Sequence, residues 1–254
     1  MQKIHERCCG LDVHKKSVTA CLLTPTEAGK SSQAIRTFGT TTAELLELVD
    51  WLVQAGCTIV AMESTGSYWK PVYNLLEAVL DVWIVNAAHI KSVPGRKTDV
   101  KDAQWIAELL QHGLLRPSFI PSIALRELRE LVRYRKSLIQ DRSSEVNRIQ
   151  KVLEGANIKL ASVATDIMGL SGRAILSALV AGKANPEEMA ALAKGKLRNK
   201  LPQLQQALKG TVSSHQRFIL AQMLAHVDFL DEALKQCSAE IVERLRPQQA
   251  DIER

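Results

Sequence analysis

The sequence predicts a mixed α/β sheet domain followed by an all-α region, and three observations carry that expectation. Over the first 120 residues, short β-branched runs alternate with helical patterns. Beyond Pro121 the strand patterns stop and long stretches of helix-forming residues take over. The charge divides at nearly the same place. Residues 1–117 hold 12 Lys and Arg against 12 Asp and Glu, whereas residues 118–254 hold 21 against 15. The whole net charge of +6 therefore lies in the rear part. A neutral front with a basic rear suits a chemistry module joined to a polyanion-binding module, with 1–120 and 121–254 as the two domains.

Element by element, RCCGLDV (7–13) and SVTACLL (17–23) read as two strands joined by the turn His14-Lys15-Lys16. Residues 34–38 make a third strand. Thr42 is placed as the cap of a helix in which Leu45, Leu48, Val49 and Leu52 recur at helical spacing. A buried-type strand follows at 57–62 and ends at Glu63, then a helix at 71–80 and a short strand at 82–85. The last helix of this part covers 98–111 and is closed by Gly113 and Pro117. The order β-β-β-α-β-α-β-α is the one used by ribonuclease-H-like folds. No G-x-G-x-x-G or P-loop sequence is present, which argues against a dinucleotide or nucleotide enzyme.

The rear part opens with one helix over 122–156, about 50 Å long at 1.5 Å per residue. Its heptad a positions are Leu125, Val132, Ile139, Val146 and Leu153, while two d positions are Arg135 and Arg142. Shorter helices separated by Gly and Pro fill 158–210. A second long helix over 216–245 carries the seam Leu220, Met223, Val227, Leu230, Leu234, Cys237 and Ile241. Such a seam must be covered by the first long helix or by another subunit, so a coiled-coil-containing region and a homo-oligomer are expected.

Five cysteines, an odd number without C-x-x-C spacing, suit reduced thiols better than disulfides or a zinc site. The N-terminus has no signal-peptide core and no apolar run is long enough to span a bilayer. A cytoplasmic protein with no membrane partner is expected.

Four carboxylates stand at special positions: Asp12 in GLDVHKKS, Glu63 in MESTGSYW, and Asp99 with Asp102 in GRKTDVKDAQW. Asp12 and Glu63 end strands that can meet at one sheet edge. Asp99 and Asp102 are three apart at a helix start, where the dipole favours anions. Two-metal phosphoryl transfer needs such acids to flank a pair of ions, and Mg²⁺ or Mn²⁺ requires no His or Cys ligand. Singly, each acid also has an ordinary reading as a cap or turn residue. Lys97 and Lys101 flank the pair and are placed to meet phosphates.

GLDVHKKS, MESTGSYWKPVYNLL and VNAAHIKSVPGRKTDVKDAQWIAELL together resemble the N-terminal half of DEDD-type insertion-sequence transposases. These are relatives of the Piv site-specific DNA invertase whose members are guided by a bridge RNA. The resemblance covers roughly residues 7–120. It implies a RuvC-like first domain with Asp12, Glu63, Asp99 and Asp102 as the metal-binding tetrad. It also implies DNA and a structured guide RNA as partners, and metal-dependent cleavage and transfer of DNA strands. Members of that family carry a later domain with a serine nucleophile. This chain stops at LRPQQADIER, about where that domain is expected to begin, so a truncated enzyme is expected.

Other residues bear on the same expectation. Arg126, Arg129, Arg133 and Lys136 fall on one face of the first long helix and suit a phosphate track, although Glu127 and Glu130 interleave them. Lys194, Lys196, Arg198 and Lys200 form a second basic cluster. Ser64, Thr65, Gly66 and Ser67 make a turn able to offer N–H groups to a phosphate. Tyr68 and Trp69 are candidates for base stacking or for core anchors, and His14 reads as an exposed turn residue. Two further readings stay open: a RuvC-like structure-specific nuclease that needs no serine, and a non-catalytic module that binds nucleic acid through its helices.

Overall fold

The computed structural model describes residues 3–26, 31–64, 66–92, 102–183 and 185–252. The chain divides into two compact units, Met1–Ile120 and Pro121–Arg254.

The first unit runs β1 (Cys8–Val13), β2 (Val18–Pro25), β3 (Ser31–Phe38), α1 (Thr42–Gln54), β4 (Ile59–Glu63), α2 (Trp69–Leu76), β5 (Asp81–Val85), α3 (Ala87–Ser92) and α4 (Asp102–Gln111). The strands lie in the order β3-β2-β1-β4-β5. A tight turn, with the His14 N–H donating to the Ser17 carbonyl at 2.9 Å, forces β1 and β2 antiparallel. The crossover through α1 returns β4 parallel to β1, and β5 follows β4 in parallel. This is the mixed sheet of the ribonuclease-H-like class.

Both faces of the central strands are covered, which is why they read as continuous apolar runs. Cys9, Leu11, Val60 and Met62 pack with Leu45, Leu48 and Leu52 of α1. On the opposite face Cys8, Ile59 and Ala61 pack with Ala103, Ile106, Ala107 and Leu110 of α4. The cap of α1 is Thr41, one residue before the expected Thr42. Its side chain and that of Glu44 form a reciprocal capping box. Helix α3 was not legible as a separate element, because its six residues offer no full amphipathic period. Strand β3 is mostly exposed, since it forms one edge of the sheet and, among the described residues, no helix lies over most of its length.

The second unit runs α5 (Ile123–Gly155), α6 (Leu160–Val163), α7 (Leu170–Val180), α8 (Pro186–Ala190), a 3-10 turn (Gly195–Lys200), α9 (Leu201–Ala207) and α10 (Ser214–Ile252). Helices α5 and α10 pair antiparallel. Arg142 Nε donates to Asp231 Oδ1 at 2.5 Å, Arg135 Nε to Ser238 Oγ at 2.8 Å, and Arg244 Nη1 to Glu127 Oε2 at 2.6 Å. Leu138, Leu230 and Cys237 are buried between them, with Leu131, Leu234 and Ile241 alongside.

The seam of α5 is only in part the expected one: the d positions Arg135 and Arg142 face α10, and the a positions Val146 and Leu153 pack in the core. Leu125, Val132 and Ile139 are exposed, and the face turned to α10 carries Leu131, Arg135, Leu138 and Arg142. The two arginines tolerate this because their stems lie along apolar surface while their heads find Ser238 and Asp231. The main core of the unit lies where Ile149 and Leu153 meet Leu160, Ile175, Leu176, Leu204, Leu220 and Val227. Among the described residues no helix is long and apolar enough to cross a membrane.

Candidate functional site

The strand period places Asp12 on the same face of β1 as Cys8 and Gly10, and Glu63 on the same face of β4 as Ile59 and Ala61. That is the face covered by α4. Leu11 pairs with Met62 in the parallel register, so Asp12 and Glu63 follow on neighbouring strand ends one step further on. Both are half-buried. The end of β4 is held by the Ser64 N–H, which donates to the Val85 carbonyl at 3.0 Å.

Helix α4 reaches this face because β1 has a glycine beneath it. A Cβ on Gly10 would lie 2.3 Å from the Ala103 carbonyl oxygen and 2.4 Å from the Ala107 nitrogen. The helix backbone rests directly on the strand at that point. Asp102, the residue before Ala103, opens the helix and is exposed. In G-L-D, then, the glycine admits the helix and the aspartate two residues on lies on the same face. The Gly10 contact was missed in the sequence because a strand glycine has several ordinary causes.

His14 is the other residue that the structure adds. Its Nε2 lies 3.1 Å from Asp12 Oδ2, with the histidine side chain 62% exposed and the aspartate 27%. The turn residue therefore touches the candidate acid. Asp99, Lys97, Lys101 and Thr65 lie outside the described residues. Among the described residues, no group of three or more His, Cys, Asp or Glu is gathered so as to hold a metal ion. The structure thus brings Asp12 and His14 into contact and Asp12 and Glu63 to adjacent strand ends, and starts α4 at Asp102.

Burial disfavours the thiolate form of the cysteines near this face. Burial pushes the Cys8 thiol up to about 12 and those of Cys21 and Cys57 up to about 11, so each stays protonated near neutrality. All five cysteines are free and buried. Trp69 stacks edge-on to Tyr73 at 5.6 Å and packs on the core, which makes it an anchor, whereas Tyr68 is 43% exposed. In the second unit Arg129, Arg133 and Lys136 are exposed on α5. Arg126 is half-buried and donates to the Pro121 carbonyl at 3.0 Å, so it is tied to the helix start.

Among solved structures, the chain is similar to Thermus thermophilus RuvC at 12% identity and TM-score 0.32, over 44% of this chain and 99% of that one. It is also similar to the fowlpox virus resolvase in complex with substrate Holliday junction DNA. There the identity is 15% and the TM-score 0.27, over 36% of this chain and 65% of that one. No curated protein matches it. A family model described as DEDD_Tnp_IS110, transposase, matches residues 9–158, which is more than half of the 254 residues and spans the acidic strand ends, the start of α4 and all of α5. The chain belongs to this DEDD transposase family.

Proposed function

We propose that the acidic end of the sheet cleaves and transfers DNA strands with the help of bound Mg²⁺ or Mn²⁺. The observation that carries this reading is the common face of Asp12, Glu63 and the start of α4 at Asp102. The donor set fits a hard divalent cation: it consists of carboxylate oxygens, and the nearby thiols are buried and protonated. Asp12, Glu63, Asp99 and Asp102 would hold the ion. When bound, it supplies Lewis acidity toward a phosphoryl oxygen and an activated oxygen nucleophile.

The residues of the chain do the rest. His14, 3.1 Å from Asp12 Oδ2, restrains one carboxylate oxygen and leaves the other for coordination. Lys97 and Lys101 bring positive charge to the phosphates beside the acids. Arg129, Arg133 and Lys136, with Arg126 in part, supply backbone affinity that is independent of sequence. DNA and a structured guide RNA are the partners in this reading, and the buried free thiols suit a reducing cytoplasm. The exposed Val132 and Ile139 of α5, with Phe229 and Val242 of α10, suit a homo-oligomer built through the long helices. Sedimentation equilibrium would test that part.

The site itself is tested by Mn²⁺ titration calorimetry on the whole chain beside Asp12→Ala, Asp102→Ala and Asp102→Asn. Saturable binding that is lost in both alanine variants and weakened in the asparagine one supports the assignment. Binding unchanged in folded variants would show that these acids do not hold the ion.

A further inference from the structure

The second unit contains an open pocket of about 390 Å³ between the start of α7, the residues after α6 and the 3-10 turn. Three lysines line it: Lys194, Lys196 and Lys200. Val163, Leu170 and Leu197 supply an apolar wall, and Leu170 is 71% exposed. The lysine segment is fixed to α7 through Ser171. Its Oγ accepts from the Lys194 N–H at 2.8 Å and donates to the Lys194 carbonyl at 3.4 Å. Lys200 reaches across to the Val163 carbonyl at 3.4 Å. One carboxylate, Asp166, also lines the pocket, and its Oδ1 accepts from the Met168 N–H at 2.8 Å.

The pocket lining carries three lysines against one carboxylate, and the segment that supplies the lysines has charge of one sign. Residues 189–227 contain Lys194, Lys196, Arg198, Lys200, Lys209 and Arg217 but no Asp or Glu. Several cations elsewhere in the unit are matched: Arg142 with Asp231, Arg148 with Glu145, Lys159 with Glu154, Arg173 with Asp228 and Arg244 with Glu127. Three lysines and one carboxylate line the cavity, so its net charge is positive and favours an anion. The apolar wall beside them has the size and chemistry for a sugar or base next to the phosphate.

We propose that this pocket binds one nucleotide of a single-stranded nucleic acid, with a backbone phosphate on Lys194, Lys196 and Lys200 and its nucleoside against Leu170 and Leu197. A duplex phosphate could reach the lysines but would keep its bases away from the wall. The site is separate in sequence and unit from the acidic strand ends. It requires no metal, so it stands or falls independently of the cleavage reading.

The test is fluorescence anisotropy in EDTA with the full chain, using a labelled 20-nucleotide single strand as DNA and as RNA, and the matching duplex. The pocket variant is Lys194→Gln/Lys196→Gln/Lys200→Gln. The control, Lys151→Gln/Lys183→Gln/Lys235→Gln, removes the same charge from exposed positions of the same unit. The pocket variant is expected to weaken single-strand binding at least tenfold. It should also reduce the slope of log affinity against log salt by about 0.7, the value for the one phosphate the lysines hold. The control should change binding less than threefold. Leu170→Asp adds an acid in the first turn of α7, where the dipole tolerates it, and should weaken binding while leaving the melting curve intact. DNA and RNA arms of unequal affinity identify the natural strand, and equal ones place recognition on the shared phosphate. Equal losses in the pocket and control variants would reduce the effect to net charge and overturn the proposal. So would tighter binding of the duplex, or unchanged binding by the pocket variant.

Discussion

Replacing Gly10 by Ala tests the contact on which the candidate site depends. The added Cβ would lie 2.3 Å from the Ala103 carbonyl oxygen and 2.4 Å from the Ala107 nitrogen, where 3.4 Å is an ordinary contact. Both neighbours are helix backbone, so no side chain can rotate away. Helix α4 must lift by about 1 Å from β1, loosening the layer in which Ala103, Ile106, Ala107 and Leu110 are buried. Overpacking of this kind costs about 1–3 kcal/mol, and a rigid backbone obstacle belongs at the upper end. For a unit of this size that corresponds to a fall of roughly 8–12 °C in melting temperature. The assay is favourable because Trp51, Trp69, Trp83 and Trp105, the four tryptophans of the chain, all lie in the first unit. Thermal melts followed by tryptophan fluorescence therefore report that unit. Mn²⁺ affinity should fall as well, because α4 carries Asp102. A melting temperature within 2 °C of the parent would refute close approach of α4 to β1, and with it the geometric basis of the site.

Leu230→Ala empties a buried position between α5 and α10 and should cost about 2–4 kcal/mol. The loss should appear in helical circular dichroism, with the tryptophan melt little changed. The cysteines should react with a disulfide reagent at pH 8 at least 100-fold more slowly in the native chain than in denaturant. Burial raises Cys8, Cys21 and Cys57 well above their ordinary value and hides the sulfur. The hydrogen bonds from the Thr41 side chain and backbone hold the Glu44 carboxyl below its ordinary value of 4.5. A lowered folded pKa gives stability that is present above the unfolded pKa and lost as pH falls through the folded one. The melting temperature gap between parent and Glu44→Ala should thus be full at pH 7 and close under more acid conditions. A gap that widens on acidification would contradict the capping box.

Much of the architecture follows from local patterns. β1, β2, β4 and β5 are short apolar runs bounded by turns, and their covered faces follow from that. Helix α5, expected over 122–156, spans Ile123–Gly155 because most of its residues are strong helix formers and no proline interrupts them. Asp12, Glu63 and Asp102 stand out because each occupies an element end, where charge is otherwise unexpected beside apolar runs. The parallel register that sets Asp12 beside Glu63 is another matter, because it joins strands about fifty residues apart. So is the depth at which α4 settles, which depends on a missing Cβ at Gly10 meeting the backbone of Ala103 and Ala107. The seam of α5 misled for the same reason. Heptad spacing assigns Val132 and Ile139 to a and Arg135 and Arg142 to d, yet of these only the arginines face α10, where they meet Ser238 and Asp231. Sequence alone determined, α3 apart, which segments form strands and helices and which acids sit at their ends, because those depend on periodicity within a few residues. Only the tertiary structure decided which faces meet, because that depends on the shape and polarity of partners far away in the chain.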